Sequence, residues 1–186
     1  MSRLDSFIRR VSAQRDVLDH VCGLVAGLPG PVLELGLGNG RTFDHLRERL
    51  PGRRIVAFDR ALGAHKSSIP SEEDLVLGEI RETAARFAGI GAALVHADIE
   101  TNYAEVDAET VLWLPPVAAG LLQPGGIVAS GLPLQHSALP GKGVIAEIES
   151  YGFRRMMAAL NSSGRRVPCR RFPFPSTCAR CSDGCG

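Results

Sequence analysis

No run of about eighteen apolar residues occurs in this sequence, so a membrane-spanning helix is not expected. The N-terminal region carries charges throughout and lacks the apolar core of a secretory signal peptide. Cysteine is scarce, since the chain has five, four of them after residue 168. An odd count without a secretion signal is typical of a reducing compartment. We therefore expect a cytoplasmic protein with no membrane partner.

The chain also lacks a strong net charge, which is +1 over 186 residues. This length, with a hydrophobic content of 45%, predicts one globular domain with a sizeable core. The charge is uneven: residues 154–186 hold seven arginines and one acid, or +6, so residues 1–153 sum to −5. This basic segment could contact nucleic acid, an acidic partner or an anionic substrate, or it could be a solvated tail.

Helices and strands alternate along most of the chain. Apolar residues at three- and four-residue spacing predict an amphipathic helix over 2–27, with a break near 12–14. Strands are predicted over 31–36, 54–59, 75–77, 93–97 and 127–130, and helices over 41–50, 80–89 and 107–122. The last helix should start or bend at Pro115-Pro116. After Gly131 the pattern weakens, and it predicts only a helix over 145–160 and a strand over 165–172.

This alternation predicts an α/β fold, a doubly wound, Rossmann-like and mostly parallel sheet with helices on both faces. Residues 60–73, between the second and third strands, are polar and should form a loop with at most a short helix. In such a sheet, ligands bind at the carboxyl ends of the strands.

The most informative stretch is Val-Leu-Glu-Leu-Gly-Leu-Gly-Asn-Gly at 32–40. An apolar strand that carries Glu34 leads into Gly36, Gly38 and Gly40, and a helix then starts at Arg41. The glycines allow the turn to approach a ligand closely, and the free N–H groups of the helix would face it. A carboxylate at this turn suits a cationic ligand better than a phosphate.

Three further acids follow predicted strands: Asp59, Glu79 and Asp98. Asp59 lies nineteen residues after Gly40, a spacing that suits a carboxylate accepting hydrogen bonds from a ribose diol. Ile80, beside Glu79, could form an apolar wall for an adenine. A single acid at a strand end is usually structural, but their occurrence together predicts a ligand site.

Taken together, these motifs resemble the class I S-adenosylmethionine-dependent methyltransferases. The run Leu33–Gly40 is similar to the glycine motif of that superfamily, Asp59 to its ribose-binding acid, and Leu122–Gly126 to its turn into the fifth strand. The resemblance covers roughly residues 30–130, and segments within it are similar to a small branch of unknown substrate.

The resemblance implies a set of residues that bind S-adenosyl-L-methionine. These are Glu34, Gly36, Leu37, Gly38, Asn39, Gly40, Asp59, Glu79, Ile80 and Asp98. It implies that the glycine turn packs against the methionine part, with Glu34 supporting its ammonium group. Asp59 would bind the ribose, Glu79 and Ile80 would flank the adenine, and Asp98 would face the sulfonium where the acceptor enters.

Methyl transfer mainly requires alignment, because the sulfonium is already activated, and a base is needed only if the acceptor must lose a proton early. His96 and Asp98 are two residues apart on the fourth strand, hence on one face, and are the catalytic candidates. Taken alone, His96 is better explained as a hydrogen-bonded interior histidine. His65 and His136 could reach the mouth of the pocket or lie on the surface.

The predicted organisation is a single methyltransferase-like domain over 1–172, with an N-terminal helix over 1–29 and a cofactor-binding core over 30–130. A Cys-rich tail over 173–186 should be flexible. Cys169, Cys178, Cys181 and Cys185 could ligate zinc, but their spacing is irregular and no metal is predicted. The apolar stripe of the N-terminal helix should pack on the core, with contact in a homodimer as a second interpretation.

Three functions fit the sequence to different degrees. The leading hypothesis is methyl transfer from S-adenosylmethionine to an unidentified small-molecule acceptor. A non-catalytic methyltransferase-like binding module with a basic Cys-rich tail is the alternative. A NAD(P)-dependent oxidoreductase fits least, because Arg41 stands where the third glycine of Gly-x-Gly-x-x-Gly belongs. Nucleic acid is not the expected substrate, since the Asn-Pro-Pro-Tyr motif of amino-directed DNA methylation is absent.

Overall fold

The computed structural model describes residues 2–101, 103–139, 141–144 and 156–159. The helices are α1 (Arg3–Val25), α2 (Arg41–Arg49), α3 (Ile80–Ala85) and α4 (Ala104–Leu121). The strands are β1 (Val32–Leu35), β2 (Ile55–Asp59), β3 (Leu75–Leu77), β4 (Ala92–Ala97), β5 (Leu122–Ser130), β6 (Gly141–Val144) and β7 (Met156–Ala159). Between β2 and β3 lie two short 3₁₀ turns, Lys66–Ser68 and Glu72–Asp74, so the predicted loop there is confirmed.

The seven strands form one sheet in the order β3-β2-β1-β4-β5-β7-β6. Strands β1 to β5 are parallel, whereas β7 runs antiparallel to both β5 and β6. The predicted doubly wound, mostly parallel sheet is therefore confirmed. The chain reverses its direction of winding between β1 and β4, which is where sheets of this kind bind ligands.

Alternate residues of the strands face two different helical layers. Val32, Leu94 and Ile127 pack in one apolar cluster with α1 and α2. Leu33 and Val95 pack on the opposite face with α3 and α4. Because side chains alternate along a strand, Glu34 and His96 belong to the face that α1 and α2 cover.

Helix α1 is continuous from Arg3 to Val25, so the predicted break near residues 12–14 is wrong. Its first turn is stabilised by a capping box, in which the Ser2 hydroxyl accepts from the Asp5 N–H and the Asp5 carboxylate accepts from the Ser2 N–H. One stripe of the helix is buried: Ala13, Gln14, Val17, Leu18, Val21, Cys22 and Val25. Packing of this stripe on the sheet holds the helix together across the polar segment.

Helices α1 and α2 pack side by side and run in the same general direction. The Arg41 guanidinium lies 5.7 Å from the centre of the Phe7 ring, and further along α1 the Asp19 carboxylate contacts His45 (2.8 Å) and Arg49 (2.6 Å). Although partial burial opposes ionisation, the hydrogen bonds from Arg49 and His45 lower the pKa of Asp19 below its ordinary value. The N-terminal half of α1 therefore lies beside the start of α2.

The structure corrects two predicted elements. Helix α4 begins at Ala104 and continues through Pro115 and Pro116, so the helix predicted around 107–122 is present and a start at the prolines is wrong. Buried residues on both sides of the prolines, Leu114 and Ala118, pack on the sheet and outweigh the lost N–H donors.

Part of the predicted helix over 145–160 is also wrong, because residues 156–159 form β7 and pair with Ile127–Ser130 of β5. The secondary structure of residues 156–159 is determined by backbone hydrogen bonds to the neighbouring strand and not by the helical spacing of apolar residues. Residues 145–155 and the predicted strand over 165–172 lie outside the described residues.

The described part of the chain contains one cysteine, Cys22, whose thiol is free. Burial raises the pKa of Cys22 to about 11, so the thiol stays protonated at neutral pH. Cys169, Cys178, Cys181 and Cys185 lie outside the described residues, and so does the predicted tail. None of the described helices is long and apolar enough to cross a bilayer.

Arg53 closes the end of α1. Its guanidinium donates to the carbonyls of Leu28 and Gly30 (2.9 Å for Gly30) and to those of Val25 (3.3 Å) and Ala26 (3.1 Å). Its neighbour Arg54 makes one exposed ion pair, 2.6 Å from Asp74. The two adjacent arginines therefore form a matched pair for testing how α1 is held on the sheet.

We predict that Arg53→Met lowers the free energy of unfolding by about 1–3 kcal/mol, because the carbonyls at the end of α1 lose a charged donor. The control Arg54→Met should cost less than about 1 kcal/mol, as expected for an exposed ion pair. Urea denaturation followed by circular dichroism measures both. Equal losses in the two variants would contradict this role of Arg53.

Candidate functional site

A cleft of about 680 Å³ opens at the carboxyl ends of the central strands. Six of the predicted residues line it: Gly36, Gly38, Asp59, Glu79, Ile80 and Asp98. Ten further residues complete the lining: Arg60, Arg81, Ile99, Glu100, Thr101, Val106, Glu109, Thr110, Leu112 and Trp113. The structure thus brings the acids after β2, β3 and β4 and two glycines of the turn to one cavity.

Gly36 and Gly38 have different steric surroundings in the turn. Gly36 has φ +93°, and a Cβ there would lie 2.7 Å from the Asp98 carbonyl oxygen. Only glycine lets the end of β4 approach the end of β1 this closely. Gly38 has φ +52°, and no protein atom lies within 4 Å of the position its Cβ would take. The space beside Gly38 is therefore open on the side where a ligand would lie.

The carboxylate of Asp59 is held in place by backbone N–H groups. Its Oδ2 accepts from Gly38 N (2.7 Å) and its Oδ1 accepts from Arg60 N (2.6 Å). A carboxylate has about four acceptor positions, so each oxygen can accept one more hydrogen bond. The group is thus fixed at the cleft wall and retains capacity to bind a pair of neighbouring hydroxyls, as the sequence predicts for a ribose.

Glu34 is fully buried and does not line the cleft. Its Oε1 accepts a hydrogen bond from the Thr42 hydroxyl, and its Oε2 lies 2.8 Å from His96 Nδ1. Because a carboxylate only accepts, this contact places the proton on Nδ1 of His96. We call these three residues the Glu34 clasp. The clasp joins β1, β4 and the first turn of α2 directly beneath the glycine turn.

The two catalytic candidates therefore occupy different places. Asp98 is partly exposed in the cleft, and its N–H donates to the Leu35 carbonyl (2.9 Å). His96 is 2% exposed within the clasp and does not line the cleft. The spacing in the sequence predicts that His96 and Asp98 share one face of β4. That Glu34 lies opposite His96 is seen only from the pairing of β1 with β4 in the structure.

The remaining predicted residues lie around the turn. Leu37 is buried beneath it, and the Asn39 carbonyl at its tip accepts from His65 N (3.2 Å). Gly40 packs against Ser68, with a would-be Cβ 2.6 Å from the Ser68 Cβ. The His65 ring bonds Ser67, and neither His65 nor His136 lines the cleft.

The loop after β4 is fixed against α4, which the sequence did not predict. The Asp107 carboxylate accepts from the N–H (2.9 Å) and the hydroxyl (2.8 Å) of Thr101. This brings Val106, Thr110 and Trp113 of α4 to the cleft wall. Helix periodicity shows which residues share a face of α4, but it does not show how that face is placed relative to the sheet.

The described lining of the cleft carries five carboxylates and two guanidinium groups. The acids are Asp59, Glu79, Asp98, Glu100 and Glu109, and the bases are Arg60 and Arg81. A cavity of net negative charge attracts a cation and repels polyanions. This charge fits a ligand that carries a sulfonium and an ammonium group.

A family model and a similar crystal structure indicate the same family for this chain. Residues 1–156 match the family described as S-adenosyl-L-methionine methyltransferase. The chain is 38% identical to the crystal structure of an S-adenosyl-L-methionine methyl transferase from Silicibacter pomeroyi DSS-3, with a TM-score of 0.73. That match covers 87% of this chain and 99% of the other. No curated protein matches the sequence.

More distant structures share the fold. Cofactor-bound Rv0187 from MTB is 15% identical with a TM-score of 0.55, over 86% of this chain and 88% of that one. A probable spermidine synthase from Corynebacterium glutamicum is 11% identical with a TM-score of 0.54, over 80% of this chain and 63% of that one. At these identities the likeness concerns the fold alone, and the residues of the cleft must identify the chemistry.

The open space beside Gly38 gives a prediction. Gly38→Ala should fold, because its Cβ meets no protein atom and the left-handed backbone costs only about 1–2 kcal/mol. It should nevertheless weaken binding of S-adenosylhomocysteine by roughly tenfold or more, since the methyl group occupies ligand space. Calorimetric titration and thermal unfolding measure the two effects. Undiminished affinity in a folded Gly38→Ala variant would show that the ligand does not lie there.

The Glu34 clasp gives a second prediction, with a matched pair of variants. Thr42→Val keeps the shape of the side chain but leaves a buried carboxylate oxygen without its donor, which should cost about 1–3 kcal/mol of stability. Thr42→Ser keeps the hydroxyl and should stay close to the wild type. We also expect Thr42→Val, but not Thr42→Ser, to weaken S-adenosylhomocysteine binding. The same affinity in both variants would mean that the clasp does not organise the turn.

Proposed function

This chain belongs to the S-adenosyl-L-methionine methyltransferase family, and on that premise we propose that its methyl acceptor is a small molecule which enters the cleft beside Asp98. The protein is an S-adenosylmethionine-dependent methyltransferase. When bound, the cofactor supplies a methyl group on an already activated sulfonium. The contribution of the chain is therefore to bind, to orient and to exclude water.

Asp59 is proposed to bind the ribose hydroxyls. In support, its carboxylate lines the cleft, is fixed by the N–H groups of Gly38 and Arg60, and keeps free acceptor capacity. Glu79 and Ile80, at the start of α3, are proposed to flank the adenine. Ile80 offers an apolar surface, and Glu79 is exposed at the cleft with its backbone at the helix start.

The glycine turn is proposed to hold the methionine part of the cofactor. Gly36 allows the close approach of β4, and Gly38 leaves space on the ligand side. Glu34 lies beneath this turn with both carboxylate oxygens engaged by Thr42 and His96. We therefore propose that Glu34 supports the ammonium group through the field of its buried negative charge and through the position of the turn.

Asp98 is the proposed catalytic residue. Its carboxylate lies at the end of β4 in the cleft, next to the Gly36 backbone, where an acceptor could meet the methyl group. There it can hold a cationic or hydroxyl-bearing acceptor, or accept a proton from it. His96 is proposed to act on the site through Glu34, because its ring is buried and bonded to that carboxylate.

The observation that carries the proposal of a small acceptor is the charge of the cleft. Five carboxylates against two guanidinium groups would repel the phosphates of a nucleic acid. Binding of a nucleic acid depends on lysine and arginine side chains that neutralise its phosphates. A compact acceptor that is neutral or cationic meets no such barrier. The volume of about 680 Å³ is in the range of small-molecule sites in proteins.

The proposal is tested by following a labelled methyl group. The full-length enzyme is incubated with methyl-labelled S-adenosylmethionine and, separately, with the metabolite, RNA and protein fractions of a cell extract. We expect label in the metabolite fraction only, and less of it with the Gly38→Ala variant when S-adenosylmethionine is below saturation. Label transferred to RNA or protein, and not to metabolites, would contradict a small-molecule acceptor while leaving the methyltransferase assignment intact.

A further inference from the structure

The first turns of α1 carry an apolar surface that the core leaves uncovered. Leu4, Phe7 and Ile8 are 66%, 41% and 50% exposed to solvent, and Val11 is partly exposed. Their spacing of three and four residues places all four on one side of the helix. We call these four residues the α1 patch. The buried residues of the helix begin only at Ala13, so the α1 patch precedes the part of α1 that packs on the sheet.

The α1 patch continues the stripe of α1 that packs on the core. Leu4, Val11, Leu18 and Val25 follow one another at seven-residue intervals, or about two turns, and the last two are buried. None of the described residues that line the cleft belongs to α1, so the patch is not a wall of the cofactor site. Contiguous apolar side chains that face water are typical of an interaction surface.

The α1 patch is complementary to itself. A two-fold axis that passes between Phe7 and Ile8 brings two copies of the helix together in antiparallel orientation. Leu4 of one copy then lies opposite Val11 of the other, and Phe7 lies opposite Ile8. Each apolar side chain of the patch is thus covered by an apolar side chain of the second copy, which removes the whole patch from water.

Two charged residues lie on opposite edges of the α1 patch. At about 100° per residue, Asp5 and Arg10 each project about 110° from the centre of the patch, one on either side. The Asp5 carboxylate accepts hydrogen bonds from the N–H (3.1 Å) and the hydroxyl (2.7 Å) of Ser2. The Arg10 guanidinium lies 5.5 Å from the centre of the Phe7 ring. Both charged groups are therefore held at the edges of the patch within one chain.

The same two-fold axis pairs these charges. Asp5 of each copy comes level with Arg10 of the other and lies on the same side, so the antiparallel arrangement contains two contacts between opposite charges. The other charged residues over 3–12, Arg3 and Arg9, lie opposite serines of the second copy. Like charges therefore do not face each other over this segment, as a self-complementary interface requires.

We propose that the α1 patch binds the α1 patch of a second copy of this chain, in an antiparallel two-fold dimer. The inference does not depend on the identity of the methyl acceptor. A bilayer with anionic lipids fits this surface less well, because its negative charge repels the Asp5 carboxylate, which is paired with Arg10 in the dimer. Four apolar side chains from each copy make a small interface, so the dimer should dissociate on dilution.

The dimer is tested by sedimentation equilibrium of the full-length protein over a roughly hundredfold range of concentration. The first pair of variants is Ile8→Glu in the α1 patch and Leu24→Glu as its control. Leu24 is 47% exposed on the same helix and lies outside the patch. A second pair, Arg10→Glu and Arg9→Glu, changes the charge equally at adjacent positions, but only Arg10 lies opposite Asp5. Circular dichroism verifies that each variant is folded.

We expect the average mass of the wild type and of Leu24→Glu to rise from monomer toward dimer with concentration. Ile8→Glu should stay monomeric, because its carboxylate would face the Phe7 ring of the second copy. Arg10→Glu should raise the dissociation constant by about fivefold or more, since it places two like-charge contacts in each dimer. Arg9→Glu should stay within about twofold of the wild type.

A wild type that stays monomeric over the whole concentration range would overturn the inference. A dimer that Ile8→Glu leaves intact would also overturn it, since that dimer uses another surface. Equal weakening by Arg9→Glu and Arg10→Glu would contradict the antiparallel pairing. A monomer that binds vesicles of phosphatidylcholine and phosphatidylserine, and loses that binding with Ile8→Glu, would assign the α1 patch to a membrane surface instead.

Discussion

The arrangement of the site depends on one buried carboxylate. Glu34 lies in β1, an interior strand of the sheet, with no exposure to solvent, and a charge in that position is tolerated only when hydrogen-bond partners replace water. The partners come from two other elements, Thr42 on α2 and His96 on β4. The requirement to satisfy Glu34 therefore fixes the start of α2 and the end of β4 relative to β1.

The glycine turn spans the gap that these contacts define. Because Gly36 has no side chain, the Asp98 carbonyl at the end of β4 can lie close to it. The carboxylate of Asp59, at the end of β2, accepts a hydrogen bond from the Gly38 N–H. Three neighbouring strands thus hold one turn, and the cleft forms above it. Glu34 supports the turn and is buried because it lies within a strand. Asp59, Glu79 and Asp98 face the cleft because they stand at or after the ends of strands.

Local patterns were sufficient to predict the strands β1 to β4, the glycine turn and the acids at the cleft. They were insufficient where distant residues decide the outcome. The partner of Glu34 is 62 positions away in sequence, so only the register of β1 against β4 identifies His96 as a member of the clasp. The wall contributed by Val106 and Trp113 depends on how α4 docks, and Met156–Ala159 is a strand because β5 offers a free edge.

The most direct test of this account is a crystal structure of the full-length protein with S-adenosylhomocysteine. We predict that the ribose hydroxyls bond the Asp59 carboxylate while Glu34 keeps its contacts to Thr42 and His96. A complex in which Glu34 leaves the clasp to bind the ligand, or in which the nucleoside lies away from Asp59, would contradict the account.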